Sequence, residues 1–101
     1  MSNNRRRGKN LERYVAREFG GRRTAILGGE DVELKRFSVE CKERETPMKT
    51  LDKWMAQVAA NSRGKVPMVY FHVCNRLHKD DYVIFRAEDI QPIIQRIEDE
   101  R

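Results

Sequence analysis

The stretch Asp31 to Lys42, DVELKRFSVECK, constrains the fold most, because its polar and apolar residues alternate on both sides of a central Lys35-Arg36. A period of two is the signature of a strand with one face buried. Folded as a hairpin with Lys35-Arg36 at the tip, the segment sets Leu34 opposite Phe37, Glu33 opposite Ser38, Val32 opposite Val39 and Asp31 opposite Glu40. Paired residues share a face. Val32, Leu34, Phe37, Val39 and Cys41 therefore make an apolar face, and Asp31, Glu33, Glu40 and Lys42 a polar one. The turn lacks the Asn-Gly chemistry that two-residue hairpins favour. A longer loop would shift the register and exchange Glu33 for Asp31.

The polar face has two readings. It can be a solvated surface whose acids pair with Lys42 and nearby arginines. Alternatively, carboxylates facing each other across a ladder repel, and a hard divalent cation with oxygen ligands offsets that repulsion. Lys42 would then assist an attacking water or stabilise a phosphate.

Around this hairpin the periodicity predicts further elements. Leu11, Tyr14, Val15 and Phe19 follow helical spacing and Gly20-Gly21 supplies a stop, giving a helix over about 8–19. Thr24 to Leu27 reads as a short strand before Gly28-Gly29. Thr46-Pro47 starts a second helix with the stripe Leu51, Trp54, Met55 and Val58, ending near 61–64. Val66 to Val73 is nearly all apolar and predicts a central strand buried on both faces, with Tyr70 and Phe71 in packing. Tyr82 to Phe85 is a further strand, and Ile90, Ile93, Ile94 and Ile97 mark a closing helix. The order α-β-β-β-α-β-β-α predicts one α/β domain over 1–101 with a central mixed sheet of about five strands flanked by helices. Residues 1–8 form a basic arm that can stay partly disordered until it meets a partner.

Charge narrows the partner. Residues 1–44 carry twelve Lys/Arg against seven Asp/Glu, whereas 45–101 balance at nine each. The excess lies in three clusters, Arg5-Arg6-Arg7 with Lys9, Arg22-Arg23, and Lys35-Arg36, which suits a polyanion such as nucleic acid. No run is long and apolar enough for a membrane span or signal peptide, so an intracellular, cytoplasmic protein is expected. The two cysteines, Cys41 and Cys74, lie in apolar runs and predict no disulfide. His72 and His78 lack a recognised zinc-ligand spacing with Cys74, so no zinc site is expected. His72 reads as a satisfied interior histidine, and Trp54 as core.

Asp31, eight intervening residues and Glu40-Cys41-Lys42 resemble the PD-(D/E)xK nuclease signature. With "NLERYVAREFGG", "GRRTAILGGED" and "LDKWMAQVAA" around it, the ensemble over about 8–86 is similar to the small archaeal and phage Holliday junction resolvases. The resemblance implies a restriction-endonuclease-like fold and a metal-dependent endonuclease that resolves four-way DNA junctions. It implies metal ligation by Asp31, Glu40, Glu12 and the Cys41 backbone carbonyl, Lys42 as the catalytic lysine, and Mg²⁺ or Mn²⁺ as cofactor. Gln57 matches a helical glutamine often near such sites. Arg22-Arg23 and Gly28-Gly29 match a segment that meets DNA backbone. A homodimer is implied, as is the host cytoplasm if the chain is phage-encoded. Glu30 replaces the usual Pro before Asp31 and the gap to Glu40 is short, which leaves open which acid among Glu30, Asp31 and Glu33 leads. Other DNA substrates, as for a nickase or restriction-type enzyme, and a non-catalytic nucleic-acid-binding module are the alternatives.

Overall fold

The computed structural model describes residues 2–24 and 31–100, with side chains from residue 8 onward. Helix α1 (Ser2–Phe19) is followed by strands β1 (Arg22–Arg23), β2 (Val32–Glu33) and β3 (Ser38–Val39). Then come α2 (Lys49–Ala60), β4 (Val69–Phe71), a 3₁₀ turn (His78–Asp80), β5 (Tyr82–Ile84) and α3 (Ala87–Asp99). Three helices and two small antiparallel sheets make a mixed α/β chain. The contacts gather in two compact units: residues up to Glu45 together with those from Gln91 onward, and Thr46–Ile90.

In the first unit, α1 starts at Ser2 instead of near residue 8. Its end follows the glycine stop. Gly20 takes φ of +70°, a left-handed conformation in which glycine is least strained. The Gly21 N–H then bonds the Ala16 carbonyl at 2.8 Å, the closing bond of a Schellman cap. Gly21 is also fixed by packing: a Cβ there would lie 2.6 Å from the Glu33 carbonyl oxygen and against Leu34. The chain thus turns directly into β1, which begins at Arg22. Of the strand expected over Thr24 to Leu27, Thr24 lies just past β1 and carries no strand, and residues 25–27 and the Gly28-Gly29 turn lie outside the described residues.

β1, β2 and β3 form one antiparallel sheet in that order. Its register is the one the alternation predicts, with Val32 paired to Val39 and Glu33 to Ser38. Leu34 N–H bonds the Phe37 carbonyl at 3.0 Å, which closes the hairpin around Lys35-Arg36. Val32 and Leu34 are buried with Ala16, while Glu33 between them is exposed. Phe37 is less covered than the pattern suggests, since it sits at the hairpin's turn.

The turn is held from α3. Glu98, buried to 7% exposure, accepts the Lys35 N–H at 2.5 Å and the Arg36 N–H at 2.8 Å. The Arg36 guanidinium donates to the Ile97 carbonyl. A tip without Asn-Gly is therefore stabilised by a carboxylate 62 or 63 positions away along the chain. Gln91, also on α3, donates to the Glu18 carbonyl at the end of α1 at 2.8 Å.

In the second unit, α2 buries Met55 and its Trp54 packs on Phe71, ring centroids 5.7 Å apart. Trp54 is nonetheless more than a third exposed, so it is a half-covered residue and not the core residue expected. β4 and β5 pair with each other, Val69 to Ile84, Tyr70 to Val83 and Phe71 to Tyr82. Two corrections follow. The strands form separate ladders of three and two, so a single mixed sheet of about five strands is not present among the described residues. The run Val66 to Val73 is not a strand buried on both faces: only Val69–Phe71 pairs, on one side, and Met68 and Tyr70 are exposed. Pro67 has no N–H to give to a ladder, and strand formation begins beyond it. No helix among the described residues is long and apolar enough to cross a membrane.

Candidate metal and nucleic-acid site

Asp31 stands one residue outside β2, where the ladder with β3 ends. Its N–H bonds the Val39 carbonyl at 2.9 Å and its carbonyl accepts the Thr24 N–H at 3.2 Å, which holds the backbone from both sides. The expected Asp31–Glu40 pair is therefore not a rung of the ladder. Instead the Asp31 carboxylate accepts the Cys41 N–H at 2.7 Å, tying the first acid to the middle of the Glu40-Cys41-Lys42 triplet. The contact at Cys41 comes from its amide, while the resemblance assigned its carbonyl a role.

Glu12, on α1, reaches the same neighbourhood. Its carboxylate pairs with the Arg23 guanidinium at 3.0 Å, and both side chains are largely covered. Burial raises the Cys41 thiol above its ordinary value, and the negative charges of Asp31 and then Glu12 raise it further. Cys41 thus feels the field of both carboxylates. Glu33 pairs across the ladder with its direct partner Arg22 at 3.1 Å. Glu40 and Lys42 meet at 3.7 Å, with side chains 70% and 82% exposed.

Asp31 is bonded to Cys41 and Glu12 acts on the same thiol through its charge, but the ligand atoms of Glu12, Asp31, Glu40 and Cys41 do not gather into one group here, and Glu40 and Lys42 are exposed. Each of Glu12, Glu33 and Glu40 already has a cationic partner. Arg22 and Arg23 form β1, and at the hairpin tip Lys35 is exposed while the Arg36 guanidinium is held by the Ile97 carbonyl and Glu100. Lys9 is exposed on α1. The side chains of Arg5, Arg6 and Arg7 lie outside the described ones, as do Gly28, Gly29 and Glu30. Gln57 belongs to the second unit, on α2, beside a groove with Trp54, Phe71 and His72.

A second constellation, in that unit, was not expected from the sequence. Asp81, with a side chain 3% exposed, receives His72 Nδ1 on one oxygen at 2.6 Å and His78 Nδ1 on the other at 2.9 Å. The Tyr70 hydroxyl donates to the same carboxylate at 2.8 Å. Burial opposes ionisation of Asp81, but the hydrogen bonds from His72, His78 and Tyr70 outweigh it and hold the carboxyl at about 2. The hydrogen bond to Asp81, then burial and the Asp81 charge raise the Tyr70 phenol. Tyr70 is thus a polar anchor at 57% exposure and not the packing residue expected. Among the described residues, His72, His78 and Asp81 are the one group whose ligand atoms lie close enough together for a shared ion, all within 4.8 Å. The hairpin arithmetic could have found part of it, because the β4–β5 register extended by one residue sets His72 opposite Asp81.

In comparisons with family models, curated proteins and solved structures, nothing matches this chain.

Proposed function

We propose that the chain is a metal-dependent endonuclease for branched DNA, acting on four-way junctions as a homodimer with a restriction-endonuclease-like fold. The observation that carries this reading is the 2.7 Å bond between the Asp31 carboxylate and the Cys41 amide, which fastens the favoured acid to the acid-x-Lys triplet just beyond β3. Asp31 is favoured over Glu33 as the leading acid because Glu33 is taken up by Arg22.

Glu12, Asp31 and Glu40 are oxygen donors, a set that fits Mg²⁺ or Mn²⁺. Such an ion, when bound, polarises a phosphate and lowers the pKa of its water. The chain's own residues supply the rest. Lys42, exposed beside Glu40, is free to swing to a phosphate oxygen or the attacking water. Arg23 neutralises Glu12 in the resting protein, and its guanidinium becomes available to phosphate as Glu12 turns to other work. Arg22, Lys35 and Arg36 hold the backbone without reading bases, so affinity should fall steeply with salt.

The test is incubation of labelled four-way junction, linear duplex and single strand with the protein in Mg²⁺ or EDTA, beside Asp31→Asn and Lys42→Ala. Junction nicking that needs Mg²⁺ and is lost in both variants is expected. Equal activity in the variants, or none in the parent, sinks the catalytic reading. Equal cleavage of linear duplex removes the junction preference alone.

A second reading is a nucleic-acid-binding module without cleavage. The ion pairs Glu12–Arg23, Glu33–Arg22 and Glu40–Lys42 favour it, since they compensate these acids without any metal. It predicts salt-sensitive junction binding unaltered by EDTA and by Asp31→Asn.

A further inference from the structure

The β4–β5 hairpin builds its own cluster independently of the carboxylates on β2–β3. Tyr70 and His72 alternate with Phe71 along β4, so the two share a face while Phe71 turns to Trp54. The 3₁₀ turn, closed by the Asp80 N–H to Leu77 carbonyl and the Asp81 N–H to His78 carbonyl bonds, both 3.0 Å, folds His78 back over His72. The two rings lie with centroids 4.3 Å apart, inclined by 33°, on either oxygen of the buried Asp81 carboxylate.

A hairpin staple alone would explain one histidine on Asp81. It gives no reason for a second, mostly exposed ring brought onto the same carboxylate, where two protonated imidazoles would repel. Two imidazole nitrogens and a carboxylate oxygen are, by contrast, a borderline donor set of the kind that holds Zn²⁺. A tetrahedral shell with bonds of about 2.0–2.2 Å has edges of roughly 3.3–3.6 Å. The ligand atoms here all lie within 4.8 Å of one another, and the His–Asp separations of 2.6 and 2.9 Å would open by about 0.5–1 Å to reach those edges.

We propose that His72, His78 and Asp81 form a binding site for a borderline divalent transition-metal ion of the Zn²⁺ type. The ion takes the place of the hydrogen bonds that now join the two Nδ1 atoms to Asp81; each neutral ring ligates through Nδ1 and carries its one proton on Nε2. Three protein ligands leave a fourth position for water or a substrate atom. Tyr70 is the outer partner, its hydroxyl orienting the ligating carboxylate. The ammonium of Lys79 and the carboxylate of Asp80, 3.4 Å apart, pair with each other in the same turn.

The experiment uses the full chain, stripped with EDTA and exchanged into metal-free buffer. It is titrated with ZnCl₂ by calorimetry and with CoCl₂ by visible absorption. One equivalent of Zn²⁺ and the intense bands of four-coordinate Co²⁺ are expected. His78→Gln changes a side chain that is 79% exposed and keeps a polar group at the position. It removes a direct ligand, so it should weaken Zn²⁺ binding by more than the roughly 10–100-fold typical of losing an outer partner, and abolish the Co²⁺ bands. His72→Gln should do the same, and Tyr70→Phe should give a smaller loss with the bands retained. Absence of saturable Zn²⁺ binding, or an affinity unchanged in His78→Gln, overturns the proposal.

Discussion

Two hairpins in this chain use one device, a carboxylate placed just beyond the end of a short ladder, with different chemical results. Asp31 precedes β2 and accepts a backbone amide, with other carboxylates and their cations around it. Asp81 precedes β5 and is saturated by two imidazoles and a phenol. The ladder end fixes position in both; the neighbours decide the chemistry. Hard oxygen donors suit Mg²⁺ and phosphate chemistry, while nitrogen donors on a buried acid suit Zn²⁺.

The sharpest way to break this comparison is to cross the variants. Asp31→Asn should lower Mg²⁺-dependent junction cleavage by at least about a hundredfold, the scale for loss of one group that stabilises developing charge. Its Zn²⁺ stoichiometry should stay at one. His78→Gln should keep the cleavage rate and lose the Zn²⁺ site. Single-turnover nicking beside zinc calorimetry reads both, and a folded Asp31→Asn that loses its Zn²⁺ site, or a folded His78→Gln that loses cleavage, would break the separation of roles.

The next effect separates the hairpins by what supports their turns. Glu98→Ala removes both acceptors of the Lys35 and Arg36 amides, which lie under the end of α3. Hydrogen bonds to a charged group contribute about 1.5–3 kcal/mol each, and some of that is recovered from water at a surface turn. A loss of about 2 kcal/mol in urea unfolding is expected, together with weakened hydrogen-exchange protection of the β2–β3 amides. The Zn²⁺ affinity of the other hairpin should not change.

The first hairpin was legible because its buried residues alternate without a break. Val32 and Leu34 on one side and Val39 on the other exclude any register slipped by one residue, and the simplest of those that remain is the one found. The second was not, because Val66 to Val73 is apolar enough to pass for a buried central strand, in which His72 needs no partner from a turn. Its real neighbour, Asp81, lies in a turn whose charges read as solvent-facing. Glu98 was invisible for another reason. It sits in the last turn of α3 among Asp99 and Glu100, and nothing local distinguishes an acid that caps a distant turn from one facing water. The acid-x-Lys triplet was found from spacing, but spacing alone could not show that Asp31 meets Cys41 by its amide.

A thiol reports on the first site without any cleavage assay. Burial and the charges of Asp31 and Glu12 raise Cys41, so at a given pH less of it is thiolate. The thiolate is the nucleophile, and Cys74 is exposed. Iodoacetamide at mildly alkaline pH should therefore label Cys74 first. Asp31→Asn keeps an acceptor for the Cys41 amide while removing one negative charge, which lowers the thiol's pKa and moves its alkylation profile to lower pH. A several-fold faster labelling of Cys41, read by mass spectrometry, is expected. An unchanged profile would mean that Asp31 does not face Cys41 in solution.

The smallest effect separates neighbours on β1. Arg22 and Glu33 form an exposed cross-strand pair, and exposed pairs contribute about 0–1 kcal/mol. Arg22→Ala should leave stability within about 0.5 kcal/mol, since the lost pair is solvated on both sides. If Arg22 also meets a phosphate, the same change lowers the slope of log affinity against log salt by about 1 for junction DNA, uniformly across sequences. Arg23→Ala should differ in kind, because Arg23 neutralises the mostly covered Glu12, whose charge and that of Asp31 both act on Cys41, and its loss removes that ion pair. Repulsion between the two acids then favours a cation in place of the guanidinium, so Mg²⁺ should stabilise Arg23→Ala against urea more than it stabilises the parent. Equal Mg²⁺ stabilisation of the parent and both variants would place Glu12 outside the metal site and leave Asp31 and Glu40 to hold the ion.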